Sequence, residues 1–164
     1  MKNFSTPYLR IDLDILKKNI NLMKIISRKS NLKLIPHAKT HKCAEIANLL
    51  IKYGAKGITV AKAEEAIFFM NKGIKLIKIC YPMILEDKIT RLLKRARELN
   101  VKILFVIDSE KGFKKLQKIS NKLDIIVRVY IEINVGLNRC GLNPRDPFLI
   151  NLATMIKGSK NILL

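Results

Sequence analysis

The chain is 164 residues long and 49% hydrophobic, enough for one ordinary domain with a real core and too little for two large ones, and it is not the composition of a disordered tail. Its formal net charge of +19 can by itself attract nucleic acid or anionic lipid, yet the 32 basic residues are spread over every predicted helix and aromatics make up only 6%, which argues against a nucleic-acid reader. Arg10, Asp12, Asp14, Lys17 and Lys18 interrupt every apolar run in the first 20 residues, so neither a signal peptide nor a membrane span is expected, and the expected setting is cytoplasmic.

In chain order, the apolar residues of 15–26 recur at helical spacing, with Asp14 as a candidate cap. A short β-branched run at 33–36 follows, then a helical pattern at 44–51 closing near Gly54 and a strand at 57–60. The alternation continues with a helix at 63–70 ending near Gly73, a strand at 76–80 and a helix at 89–99. That last segment, with Ile89, Leu92, Leu93, Ala96 and Leu99 on one stripe, could lie on a membrane surface, but its flanking strands favour a helix covering a sheet. A strand at 101–107, a helix at 113–119 capped by Ser109, and a strand at 125–133 complete the pattern. Pro144 and Pro147 open a last helix ending near Gly158, and 161–164 begins another strand.

This rhythm is that of repeated βαβ units around a parallel sheet, and the nearly continuous apolar runs at 103–107 and 125–131 suit strands covered on both faces. The expected fold class is α/β, an incomplete (β/α)8 TIM-type barrel. Eight units need about 250 residues, so five complete units and a sixth just begun imply a chain that stops inside the domain.

Cys43, Cys80 and Cys140 are odd in number, far apart and in no Cys-x-x-Cys pair, so they are read as reduced, mostly buried thiols and not as a disulfide framework or zinc knuckle. The most informative stretch is Pro36-His37-Ala38-Lys39-Thr40-His41-Lys42, which holds both histidines at the end of a predicted strand. Strand alternation would point Ile35, His37 and Lys39 to one side, over the pocket of a barrel. A lysine there could condense with an aldehyde cofactor once desolvation and positive neighbours (His37, His41 and Lys42) favour its neutral amine. On spacing alone, a solvated lysine remains the better reading of Lys39. A zinc site at His37 and His41 is disfavoured, because ligands four apart want one helical face.

A second feature is Glu132-Ile-Asn-Val-Gly136-Leu-Asn-Arg139-Cys-Gly141, a strand ending in a glycine-bracketed loop where backbone could approach a ligand and Arg139 supply positive charge. A plain strand-to-helix turn fits it equally well.

Taken in order, Thr6-Pro7, Ile11-Asp12-Leu13-Asp14, the heptapeptide, Gly57-Ile-Thr-Val-Ala-Lys62, Tyr81-Pro82, Asp108-Ser109 and Val-Gly-Leu-Asn-Arg-Cys-Gly141 resemble the D-threonine aldolase and D-serine dehydratase family. The resemblance implies the alanine-racemase type of fold: a pyridoxal-phosphate-binding barrel over 14–164 and, at 1–13, a strand pairing with a C-terminal β domain absent from this chain. It implies that Lys39, not Lys42, carries pyridoxal 5'-phosphate, that Arg139 meets the cofactor's phenolic oxygen, that Glu132 lies where relatives hold an anion against that arginine, and that His37 flanks the cofactor. It further implies a lyase acting on β-hydroxy D-amino acids, a homodimer when full length, and room for a divalent metal (Zn or Mn) whose ligands are not in this chain. A racemase of the same fold and a non-catalytic pyridoxal-phosphate binding protein are the alternatives. Glu64, where a small residue is expected, and Cys140, where threonine is usual, depart from the family pattern.

Overall fold

A computed structural model describes residues 5–164. After α1 (Leu13–Lys29) and α2 (Ala44–Lys52), strands and helices alternate: β1 (Ile58–Val60), α3 (Ala63–Asn71), β2 (Leu76–Ile79), α4 (Glu86–Glu98), β3 (Lys102–Ile107), α5 (Glu110–Leu123), β4 (Val127–Ile131), α6 (Phe148–Lys157) and β5 (Ile162–Leu163). The strands form one parallel sheet in the order β1-β2-β3-β4-β5, so neighbours in sequence are neighbours in space, each pair joined by a helix. This is the partial parallel α/β barrel that the sequence rhythm predicts.

One face of the sheet carries the core. Ile58, Val60, Ile77, Ile79, Ile103, Phe105, Ile107, Val127 and Val129 alternate along their strands to meet Phe69, Ile89, Leu92, Phe113, Leu116, Leu152 and Ile156 of the covering helices, all buried. The opposite face holds Thr59, Lys78, Leu104, Val106, Arg128 and Tyr130, in register across the sheet. β4 therefore alternates between buried and open positions instead of being covered on both faces, because Arg128 and Tyr130 fall on the side away from the helices. There the Lys78 ammonium lies 4.8 Å from the centre of the Tyr130 ring, a cation–π contact.

Several sequence expectations are corrected. The cap of α1 is Asp12, whose carboxylate accepts the amides of Asp14 (2.9 Å) and Ile15 (3.0 Å); Asp14 sits in the first turn. Ser109 does cap α5, accepting the Gly112 amide at 3.2 Å. Helix α4 starts at Glu86, one turn earlier than its apolar stripe. The run at 33–36 forms no ladder, since Pro36 has no amide to donate; a single parallel bridge, His37 to Thr59, ties this segment to β1. The three thiols are half-buried, not mostly buried. Residues 8–12 pair with no strand among the described residues, which speaks neither for nor against the pairing expected with a C-terminal β domain, and part of the 1–13 expectation falls on residues 1–4, outside the described residues.

Helix α1 turns Leu16, Ile20 and Ser27 inward and leaves Ile15, Leu22, Ile25 and Ile26 exposed. Among the described residues no helix is long and apolar enough to cross a membrane.

Candidate active site

The heptapeptide lies where the strands end. The Ala38 amide donates to the Thr59 carbonyl (2.8 Å) and the Thr59 amide to the Pro36 carbonyl (2.7 Å), while Ala38 itself is fully buried, so the segment runs parallel to β1 and releases Lys39 just beyond it. A tight turn follows, closed by the Lys42 amide on the Ala38 carbonyl at 2.9 Å, with Lys42 at a φ of 46°. Lys39 is exposed, and its ammonium has no ion-pair partner among the described residues. Lys42 is different: its Nζ is 3.3 Å from Glu65, a largely buried carboxylate that also accepts the Ala61 amide at 2.9 Å. Ile35 parts from His37 and Lys39 and lines an apolar cavity beneath α1 with Ile20, Leu50 and Tyr53.

His37 joins two elements. Its Nδ1 accepts the Lys39 amide at 3.1 Å, and its Nε2 meets Cys80 Sγ, just past β2, at 3.2 Å. Burial first, and then the Lys39 charge, hold the imidazole below its ordinary range, against the opposing pull of Glu65 and the Thr59 carbonyl. Burial likewise holds His41 low. Its Nδ1 accepts the Cys43 amide at 3.0 Å, its ring packs edge-on against Phe69, and its Nε2 is buried without a partner. Positive charge at His37, His41 and Lys42 was expected to favour a neutral Lys39. Burial keeps the two imidazoles from charging and Glu65 engages Lys42, so that part of the expectation is not met.

Burial pushes the Cys80 thiol up; the Lys39 charge works against this and the Glu132 carboxylate with it. Glu65 is held below the usual carboxylate range: burial opposes this, but the Ala61 amide and the Lys42 ammonium outweigh it.

The loop after β4 is built on Asn134. Its side-chain oxygen accepts the amides of Gly136 (3.0 Å) and Asn138 (3.1 Å), and its nitrogen donates to Asn138 Oδ1 (2.8 Å). The loop is zipped shut by the Leu142 amide on the Glu132 carbonyl (2.9 Å) and the Asn134 amide on the Leu142 carbonyl (2.8 Å). Between them Gly141, at a φ of 92°, donates to the Asp108 carboxylate at 3.2 Å. Arg139 rides on this loop with its guanidinium 5.1 Å from the centre of the Tyr81 ring. No ion pair joins it to Glu132 among the described residues; the Glu132 charge acts on Cys80 instead.

The structure thus brings together Lys39, His37 and, through Cys80, Glu132, with Arg139 on the loop that follows Glu132. Sequence reasoning gave no role to Cys80, Tyr81, Asp108 or Asn134. The available signal was position: Cys80 and Asp108 each directly follow a strand, where a parallel α/β sheet puts its working residues.

Known proteins resemble this chain along nearly its whole length. D-threonine aldolase from Arthrobacter sp. is 32% identical over 148 residues, 90% of this chain and 38% of that protein. The 3-hydroxy-D-aspartate aldolase of Paracoccus denitrificans is 25% identical over 96% of this chain and 40% of its own length. The crystal structure of D-threonine aldolase from Filomicrobium marinum superposes with a TM-score of 0.89 at 30% identity, covering 96% of this chain and 42% of that one. The chain therefore spans about 40% of the length of the relatives it matches. With residues 11–164 matched by the model for the alanine racemase N-terminal domain, the chain belongs to that family.

Proposed function

We propose that this chain is the cofactor-holding part of a pyridoxal-phosphate-dependent lyase acting on β-hydroxy D-amino acids, with Lys39 as the lysine that holds the cofactor. The observation that carries the reading is the contrast between two lysines three residues apart. Lys42 is tied to Glu65 at 3.3 Å, whereas the Lys39 amine, next to the ends of β1 and β2, is unpaired among the described residues and so open to an aldehyde.

The residues present fit the cofactor. An unpaired amine and a guanidinium held by a ring stack, not by a carboxylate, are the donors that an aldehyde and a neighbouring oxyanion require. Lys39 would hold the cofactor covalently, Arg139 would meet its phenolic oxygen, and His37 and Glu132 would flank it. Bound there, it would supply an electron sink for a bond broken at Cα of the amino acid.

The chain's own residues divide the remaining work. Lys39 Nζ would take the α-proton in a dehydratase reaction, whereas in an aldolase reaction the proton to be removed is that of the β-hydroxyl. His37, kept uncharged by burial, adds no second cation beside that amine. The strand assigned to 1–13 belongs to the contact with a β domain, the whole protein works as a homodimer, and a Zn or Mn ion, where used, takes ligands outside these 164 residues.

Pyridoxal phosphate added to the protein, followed by borohydride reduction and peptide mapping, tests the reading. The label is expected on Lys39, and Lys39→Ala should abolish the accompanying absorbance change while Lys42→Ala keeps it. Label on Lys42, or a spectrum unchanged in Lys39→Ala, would overturn it.

A further inference from the structure

We infer that Cys80 is a positioning residue for Lys39, acting through the His37 imidazole. The inference rests on the reading of Lys39 as the cofactor lysine and adds a residue to which no motif in the sequence assigns a part.

The argument is one of proton count. The His37 Nδ1 accepts the Lys39 amide at 3.1 Å, so that nitrogen presents a lone pair and carries no hydrogen. Burial disfavours the doubly protonated ring. A neutral imidazole has one proton, which must therefore sit on Nε2, and among the described residues the polar side-chain atom within hydrogen-bond distance of Nε2 is Cys80 Sγ at 3.2 Å. Nε2–H donates and the sulfur accepts. Cys80 itself stays a neutral thiol, because burial holds its pKa up, and so its own hydrogen points elsewhere.

The result is a directed chain: Lys39 amide to His37 Nδ1, and His37 Nε2–H to Cys80 Sγ. Its two ends belong to different elements. Cys80 follows β2, and its own amide donates to the Val60 carbonyl of β1 at 3.0 Å, so the sulfur is fixed to the sheet. Lys39 starts a turn held to the sheet through the Pro36 carbonyl and the Ala38 amide. The imidazole therefore links the backbone of Lys39 to the end of β2, across β1. Without the sulfur, Nε2–H would lose its side-chain acceptor, the ring, left with the pull of the Thr59 carbonyl alone, would be free to change tautomer or turn, and the Lys39 amide would lose a fixed partner.

Cys80→Ala removes the acceptor, and Cys80→Ser restores an oxygen acceptor of similar size. Two measurements on the protein read the effect. Heteronuclear NMR of the imidazole nitrogens without cofactor should show His37 with Nε2 protonated in the parent and in Cys80→Ser, and a tautomer mixture in Cys80→Ala. The rate of borohydride-trapped labelling of Lys39 by pyridoxal phosphate should fall roughly two- to tenfold in Cys80→Ala, the loss of one hydrogen bond, and recover in Cys80→Ser. A parent ring protonated on Nδ1, or equal labelling rates in all three proteins, overturns the inference while leaving Lys39 as the cofactor lysine. If the parent is labelled elsewhere than at Lys39, the functional reading fails, and the NMR result still shows whether the Cys80–His37 link exists.

Discussion

Gly141→Ala should be among the most damaging single-methyl changes in the chain. A Cβ on Gly141 would lie 2.7 Å from the Asn134 nitrogen, 2.8 Å from the Ile133 carbonyl carbon and 3.1 Å from that of Glu132, all backbone atoms with no rotamer to escape into. The positive φ adds about 1–2 kcal/mol for an L side chain. Relief of the contact opens the Asn134–Leu142–Glu132 zipper, at about 1 kcal/mol per hydrogen bond, and disturbs the amide donated to the Asp108 carboxylate. The total is about 3–5 kcal/mol. Gly136→Ala supplies the control: its φ of 117° is just as unsuited to alanine, but no atom lies within 4 Å of the added methyl, so only the backbone strain of about 1–2 kcal/mol applies. With a urea slope of about 2 kcal/mol per molar, the two midpoints should differ by about 1 M. Equal midpoints would refute the claim that close backbone approach, not turn conformation alone, requires glycine at 141.

Asp12→Ala should destabilise the chain by about 1 kcal/mol through loss of the α1 cap, and Asp14→Ala by less than about 0.5 kcal/mol; thermal unfolding of the pair decides between the two candidate caps. Gly57→Ala sets a methyl against the Leu76 carbonyl oxygen and side chain, and should lower stability by about 3 kcal/mol in the same urea assay. The folded-state pKa of Glu65 lies below its ordinary 4.5, so its contribution is complete above that pH and is lost as pH falls through the folded value. The urea midpoints of the parent and Glu65→Gln should therefore differ at neutral pH and converge in acid, and a gap that persists at low pH would contradict the Lys42–Glu65 assignment.

The order of helices and strands was legible because each unit is short and amphipathic, and because glycine or a capping side chain punctuates most boundaries; Ser109 is an instance. The misses have local causes. Asp12 and Asp14 are equivalent in a sequence pattern, and only the point at which the chain turns helical selects Asp12. Residues 33–36 have the composition of a strand, but a ladder needs donors and Pro36 supplies none. The continuous apolar run of β4 concealed that Arg128 and Tyr130 share a face, although strict alternation would have separated them from Val127 and Val129. In the candidate site, Lys39, His37 and Arg139 stand in stretches that the sequence singles out, whereas Cys80 does not. Its part depends on the register between β1 and β2, which brings residues 43 positions apart within 3.2 Å of each other.

That dependence on register explains why charge in this chain is not interchangeable. Composition treats Lys39, Lys42, Lys78 and Arg139 alike. Each is given a different chemistry by what the strands set beside it: a carboxylate for Lys42, an aromatic ring for Lys78 and another for Arg139, and for Lys39 an uncharged imidazole bound to its own amide. A carboxylate would lock an amine into its charged form, and a ring prefers a cation. An uncharged imidazole does neither, so of the four groups only Lys39 is set beside neither a carboxylate nor an aromatic ring among the described residues.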